Sequence, residues 1–186
     1  MHPVFAEVLK NSYDAIIDVG CAEGYYAVGL ARTLRTVPVY AYDIDLCARE
    51  LCSTLAALNG VEDVVTVRGA CDIAALAESA KGRTLIVCDC EGFELELLRP
   101  NLIDGLRQAD LIVELHELVD PSIPDVITSR FAPTHEVRLI TSEGLRRKSL
   151  PQLDGLSRMD RRLARNEWRG VGIRWAYLRS RSEAHE

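Results

Sequence analysis

No apolar run in this 186-residue chain approaches the roughly 20 residues that a membrane-spanning helix needs. The longest are strand-sized, such as Thr84 to Cys88 and Leu111 to Val113. The chain opens Met1-His2-Pro3-Val4-Phe5-Ala6-Glu7, without a basic segment leading into an apolar one. No secretory signal is therefore expected, and a cytoplasmic location is. A CxxC pair is also missing among Cys21, Cys47, Cys52, Cys71, Cys88 and Cys90. A structural zinc would want paired ligands, so the cysteines read as free thiols in a reducing compartment, several of them packing as small hydrophobes beside strand ends. There is no internal repeat and no low-complexity tract. With 48% hydrophobic and 27% charged residues, the composition is that of a globular protein and excludes a disordered chain, a collagen and a coiled coil.

Charge is unevenly spread. Residues 1–135 hold 10 Lys/Arg against 21 Asp/Glu, net −11, whereas residues 136–186 hold 12 against 7, net +5. An acidic body does not favour non-specific nucleic-acid binding. The basic tail reads most simply as solvated surface, with an anionic partner as the sharper reading.

Strand-like and helix-like stretches alternate. Strands are expected at 15–19, 37–42, 64–67, 84–88 and 111–115, with helices at 4–11, 23–34, 46–58, 73–80, 93–108 and 123–130. The 93–108 helix must kink or restart at Pro100. Five strand-then-helix units imply a parallel sheet with right-handed crossovers. The end differs: 135–141 and 171–179 are strand-like and flank a charged stretch, 142–170, too long for a plain connection. They read as a terminal pair carrying one antiparallel strand.

The first strand runs into Asp18-Val19-Gly20-Cys21-Ala22-Glu23-Gly24 and a helix. Gly20 permits a tight turn, while the small Ala22 and Gly24 admit close backbone approach. The glycine spacing departs from the dinucleotide G-x-G-x-x-G pattern. Asp18, at this turn, would repel a phosphate and could help hold a cationic amino group. Asp43, ending the second strand, can accept the hydroxyls of a ribose. Asp45 reads as a helix cap. After the third strand, Gly69-Ala70-Cys71 leaves room for an adenine, and Asp72 is either cap or ligand. Together these features suggest a nucleoside carrying a charged amino-acid end, as in S-adenosylmethionine.

On these residues the sequence resembles the class I S-adenosylmethionine-dependent methyltransferases. Within them it is similar to the FkbM-like methyltransferases, through Val39-Tyr40-Ala41-Tyr42-Asp43-Ile44-Asp45, Asp89-Cys90-Glu91-Gly92-Phe93-Glu94-Leu95-Glu96-Leu97-Leu98 and Ile112-Val113-Glu114-Leu115-His116-Glu117. The resemblance implies one α/β domain over residues 1–186, with a Rossmann-like, doubly wound, seven-stranded and mostly parallel sheet whose antiparallel strand lies near the C-terminus. It implies S-adenosylmethionine as cofactor, held by Asp18, Gly20, Cys21, Ala22, Gly24 and Tyr25, by Asp43 and Ile44, by Ala70 and Cys71, and by Asp89. The implied reaction is O-methylation of a hydroxyl on a sugar or other small metabolite. Ala22 departs from the middle glycine often found in the first motif.

Asp89, Glu91, Glu114 and His116 fall at the carboxyl ends of two strands expected to be neighbours, the edge that faces the ligand in open α/β sheets. His116 is the candidate base, because an imidazole titrates near neutrality. Asp89 and Glu114 would orient it or bind acceptor hydroxyls. The plainer reading makes His116 structural, bonded to Glu91 or Glu117. The same residues could take a divalent metal, but their spacing is not diagnostic and no metal is expected. In the basic stretch, Arg158, Arg161, Arg162 and Arg165 share a helical face, near Arg146, Arg147, Lys148, Trp168 and Arg169. A solvated helix is simpler than a substrate lid. The expected partner is a small-molecule acceptor, without nucleic acid or membrane. Two rivals stand beside the enzyme: a non-catalytic cofactor-binding protein and a nicotinamide oxidoreductase, the latter disfavoured by Asp18 and the glycine spacing.

Overall fold

The computed structural model describes residues 2–141, 153–164 and 174–181. A seven-stranded sheet forms the middle layer. Its strands are β1 (Ala15–Val19), β2 (Val39–Tyr42), β3 (Val65–Arg68), β4 (Thr84–Cys88), β5 (Asp110–Leu115), β6 (His135–Thr141) and β7 (Arg174–Ser180). They lie in the order β3-β2-β1-β4-β5-β7-β6. β1 to β5 pair in parallel, and β7 runs antiparallel to both β5 and β6. The expected fold class and the terminal antiparallel strand are both present.

The order of strands turns around between β1 and β4, so the crevice beyond their carboxyl ends is the place where such sheets bind ligands. β1, β4 and β5 are buried along their whole length, which is why they read as continuous apolar runs rather than alternating ones. Alternate residues feed two cores. Ile17, Val19, Ile86 and Val113 pack with α4 (Ile73–Ser79), α5 (Glu94–Leu97) and α6 (Ile123–Phe131). Ile16, Leu85, Val87 and Ile112 pack with α1 (His2–Val8), α2 (Tyr25–Thr33) and α3 (Leu46–Leu58). Helices thus cover both faces, as parallel crossovers require.

Helix limits differ from expectation in one informative place. Instead of one helix over 93–108 there is the single turn α5, then a 3-10 turn at Asp104–Arg107. Pro100 has no N–H to continue a helical ladder. Gly105 then lies so close to α4 that a Cβ there would stand 1.9 Å from the Ala80 carbonyl oxygen. The chain is held as a tight connection between α5 and β5. Of the basic stretch, α7 (Arg158–Ala164) lies among the described residues, with Arg158 exposed and Arg161 half-buried. Arg146, Arg147, Lys148, Arg165, Trp168 and Arg169 lie outside them. No helix among the described residues is long and apolar enough to cross a membrane.

Candidate functional site

The turn after β1 is built by its neighbours. The N–H groups of Gly20 and Cys21 both donate to the Tyr42 carbonyl, at 2.9 and 3.0 Å. Gly24, at φ 93, sits at the N-cap of α2 and has no side chain to cap it. Asp18 does this work from β1: its Oδ2 accepts the Ala27 N–H at 2.9 Å. Its Oδ1 is buried without a hydrogen-bond partner. Burial, opposed by the Ala27 bond and reinforced by the nearby Asp89 and Asp43 charges, pushes the Asp18 carboxyl up to about 7. A wholly buried carboxylate with one idle oxygen is expensive, and a cationic donor would relieve it.

Gly20 serves the turn expected of it and also a close packing contact. At φ 78, its missing side chain faces protein rather than a ligand, since a Cβ would stand 1.8 Å from the Asp89 carbonyl oxygen. The glycine is required for the β1 turn to lie against the β4 turn. Ala22, in place of a glycine, adopts φ 46, a left-handed conformation costing an L-residue about 1–2 kcal/mol. Its N–H donates to Asp43 Oδ2 at 2.9 Å, which helps hold it there.

Asp43 ends β2 half-buried. Its other oxygen, Oδ1, accepts the Asp45 N–H at 2.9 Å, and Arg49 donates to the Asp43 and Ile44 carbonyls. Each carboxylate oxygen therefore has one backbone bond and further lone-pair capacity. Asp45 caps α3 through Cys47 N–H, and Asp72 caps α4 through Ala75 N–H, which makes Asp72 a cap. Tyr25 and Ile44, 69% and 84% exposed, offer apolar surface beside the turns. Ala70 is exposed and Cys71 buried at the end of β3. The residues expected to hold the cofactor thus fall at the carboxyl end of β1, at the start of α2 and in the turns following β1, β2, β3 and β4.

The second half of the site lies after β4 and β5. His116 Nδ1 lies 2.6 Å from Glu94 Oε1. From Nε2, Asp89 Oδ1 and Glu91 Oε2 lie at 3.4 Å and Glu114 Oε1 at 3.8 Å. Burial alone would lower the imidazole's pKa, but the carboxylates of Asp89, Glu94 and Glu114 outweigh it and raise it to about 10, so the ring carries its proton near neutral pH and is not the free base expected of an ordinary imidazole. Burial likewise raises Glu94, and the bond to His116 and its charge more than offset that, leaving it below the usual carboxylate range. Sequence reasoning placed Asp89, Glu114 and His116 together, and the structure does the same. The plainer reading bonded the ring to Glu91 or Glu117, and Glu91 does lie beside it, at Nε2; at Nδ1 the outcome differs. The partner is Glu94, while Glu117 forms a two-pronged pair with Arg174 at the start of β7. Glu94 was missed, although a signal existed: it shares a helical face with Leu97 and Leu98, where a carboxylate needs a partner.

Cys21, Cys52, Cys71 and Cys88 are buried thiols, Cys90 is half-buried and Cys47 is exposed. Cys88 and Cys90 Sγ are 3.5 Å apart, and the Cys21 thiol is pushed above its usual range by its bond to Cys52 and by burial. All six are free.

No known family model and no curated protein matches the sequence. Solved structures do match the fold. An O-methyltransferase from Bacillus cereus in complex with SAH is 14% identical, with 94% of this chain and 78% of that one covered and a TM-score of 0.60. An rRNA methylase from Streptococcus thermophilus is 10% identical, with 96% and 95% covered and a TM-score of 0.60. A human methyltransferase 10 domain containing protein is 14% identical, with 96% and 79% covered and a TM-score of 0.55. The chain has the fold of the class I methyltransferases.

Proposed function

We propose that this protein is an S-adenosylmethionine-dependent methyltransferase acting on a hydroxyl of a sugar or other small metabolite. The observation that carries the reading is the idle, buried Oδ1 of Asp18 beside the β1 turn. It asks for a cationic donor, where a nucleotide site would present donors to a phosphate. The rest of the edge fits the same molecule. Asp43 has acceptor capacity for ribose hydroxyls, Ile44 and Tyr25 give apolar surface, and Ala70 and Cys71 leave space for a base. Gly20, Cys21, Ala22 and Gly24 shape the backbone around the amino-acid end, with Asp89 bounding the site from β4.

When bound, S-adenosylmethionine supplies a methyl group on a sulfonium, already activated for displacement. The residues after β4 and β5 align the acceptor oxygen and manage its proton. Asp89, Glu114 and His116 are the groups assigned to this: the ring, fixed by Glu94, orients the carboxylates around it, and the carboxylates lead the proton away. The acidic body supports a small neutral or cationic acceptor over a polyanion. That is the ground for preferring a metabolite over RNA, although one structural neighbour is an rRNA methylase.

Isothermal titration of the full chain with S-adenosylhomocysteine and with NAD tests the cofactor. Binding of the first alone is expected, and binding of NAD alone would overturn the reading. Turnover with supplied acceptor panels then separates an enzyme from a cofactor-binding regulator. His116→Ala, which releases these carboxylates from their common partner, is expected to lower turnover by roughly 10²-fold with cofactor affinity intact.

A further inference from the structure

We propose that Asp89, Glu114 and His116 Nε2, with Glu91 on the solvent side, bind one divalent transition-metal ion. The ligands come from the ends of two adjacent parallel strands. One ligand atom from each of Asp89, Glu114 and His116 lies within 4.8 Å of the others. Two ligands each about 2.1 Å from a metal stand about 3.4 Å apart at a tetrahedral angle. The Nε2 separations of 3.4 Å to Asp89 and Glu91 and 3.8 Å to Glu114 match groups spaced around a shared ion. They are long for direct hydrogen bonds.

A separate observation decides which nitrogen is presented. Glu94 is wholly buried, holds Nδ1 at 2.6 Å, and keeps its Oε2 without a hydrogen-bond partner. A metal-binding histidine typically gives its other ring nitrogen to such a carboxylate, which fixes both tautomer and ring orientation. Nε2 is left facing the three other carboxylates. The backbone also serves this arrangement: Glu91 takes φ 54 and Gly92 φ 104, turning the β4 loop so that Glu91 meets the ring.

One imidazole nitrogen among carboxylate oxygens suits Mn²⁺, Fe²⁺, Co²⁺ or Zn²⁺ better than Mg²⁺ or Ca²⁺, which prefer oxygen alone. The consequence for chemistry rests on the methyl-transfer reading. An acceptor hydroxyl on the ion becomes more acidic. Its proton passes to Glu91, 84% exposed at the side chain, and on to water. The acceptor oxygen forms a bond to the methyl carbon as the carbon–sulfur bond breaks, leaving its electron pair on sulfur.

The test is Mn²⁺ titration of the metal-free full chain, followed by electron paramagnetic resonance. One ion per chain is expected, with ¹⁴N modulation from a bound imidazole in the pulsed spectrum. Asp89→Asn and Glu114→Gln should each weaken binding at least about tenfold, and His116→Gln should remove the modulation, with thermal melting confirming a folded chain. If these variants do not fold, the double variant His2→Asn/His185→Asn decides. Retained modulation supports the site, because His135 is buried with its nitrogens engaged by Thr134 and Ala109. Lost modulation overturns it, as does the absence of saturable binding at millimolar Mn²⁺ or binding unchanged by Glu114→Gln. S-adenosylhomocysteine titration of the same metal-free chain separates the two ideas. Its failure speaks against methyl transfer and leaves the metal site standing.

Discussion

Asp110 and Asp18 are equally buried, at opposite edges of the sheet, and the fold treats them in opposite ways. Asp110, at the start of β5, accepts from Tyr13 Oη at 2.8 Å, from Asn11 Nδ2 at 3.3 Å and from Ser180 N–H at 2.9 Å. Arg83 lies 3.9 Å away. Asp18, at the carboxyl edge, has one backbone donor and one idle oxygen. A carboxylate whose donors are all supplied by the chain is part of the architecture. One left short by the chain awaits something else. Glu94 repeats the pattern at the same edge, with one oxygen on His116 and the other idle.

Gly20 should break this contrast most severely, because there the carboxyl edge is architectural. Gly20→Val places a side chain against the Asp89 backbone in a conformation hostile to it, so the soluble, cooperatively melting chain should be lost. Circular dichroism and melting would show this, and a folded variant that merely fails to bind cofactor would contradict it. Asp110→Ala should come next, costing about 3–5 kcal/mol in urea unfolding, as expected when one member of a buried charged network is removed.

Asp18 should behave in the opposite sense. Its folded pKa, about 7, lies above the ordinary carboxyl value of 3.8, so between these values the native state binds more protons than the unfolded one. Stability from this group is full below about pH 4 and falls as pH rises through about 7. Asp18→Asn removes that slope. The variant should gain on the parent protein between pH 5 and pH 8 in urea titrations, while its S-adenosylhomocysteine affinity drops. An unchanged slope would assign the pH response elsewhere.

Asp43→Ala removes the proposed ribose acceptors and the bond that holds Ala22, so S-adenosylhomocysteine affinity should fall at least about tenfold, each bond to a charged acceptor being worth roughly 1.5–3 kcal/mol. The smallest effect belongs to Asp72, a carboxylate at the same edge that serves only as a cap. Asp72→Ala should cost about 1 kcal/mol of stability and leave cofactor affinity unchanged, as paired urea and calorimetric titrations would show.

Much of this was legible in the sequence because buried parallel strands announce themselves as apolar runs and because Asp18, Gly20 and Asp43 sit at strand ends. The antiparallel β7 was legible too, since no crossover helix separates it from β6 in the familiar way. Three things were hidden. The break of the 93–108 helix was legible at Pro100, but its restart as only a 3-10 turn goes with the approach of Gly105 to Ala80, which no local pattern encodes. The Gly20 contact joins residues about seventy positions apart. Glu94 was masked by its neighbours, Glu91 and Glu96, in a stretch where carboxylates looked like solvent-facing charge.

The contact between Gly20 and Asp89 also bears on how such a protein can change over time. Asp89 N–H donates to Val19 at 2.9 Å, and its carbonyl fills the place of the missing Gly20 side chain. The loop proposed for the cofactor and the loop proposed for the acceptor are therefore registered through main-chain atoms alone. Exposed side chains of these loops, such as Phe93 and Leu118, can be exchanged, generation by generation, without disturbing that registration, whereas Gly92, at φ 104 against Val119, cannot. On the proposed reading, acceptor preference is free to drift, while the cradle for the methyl donor is inherited intact.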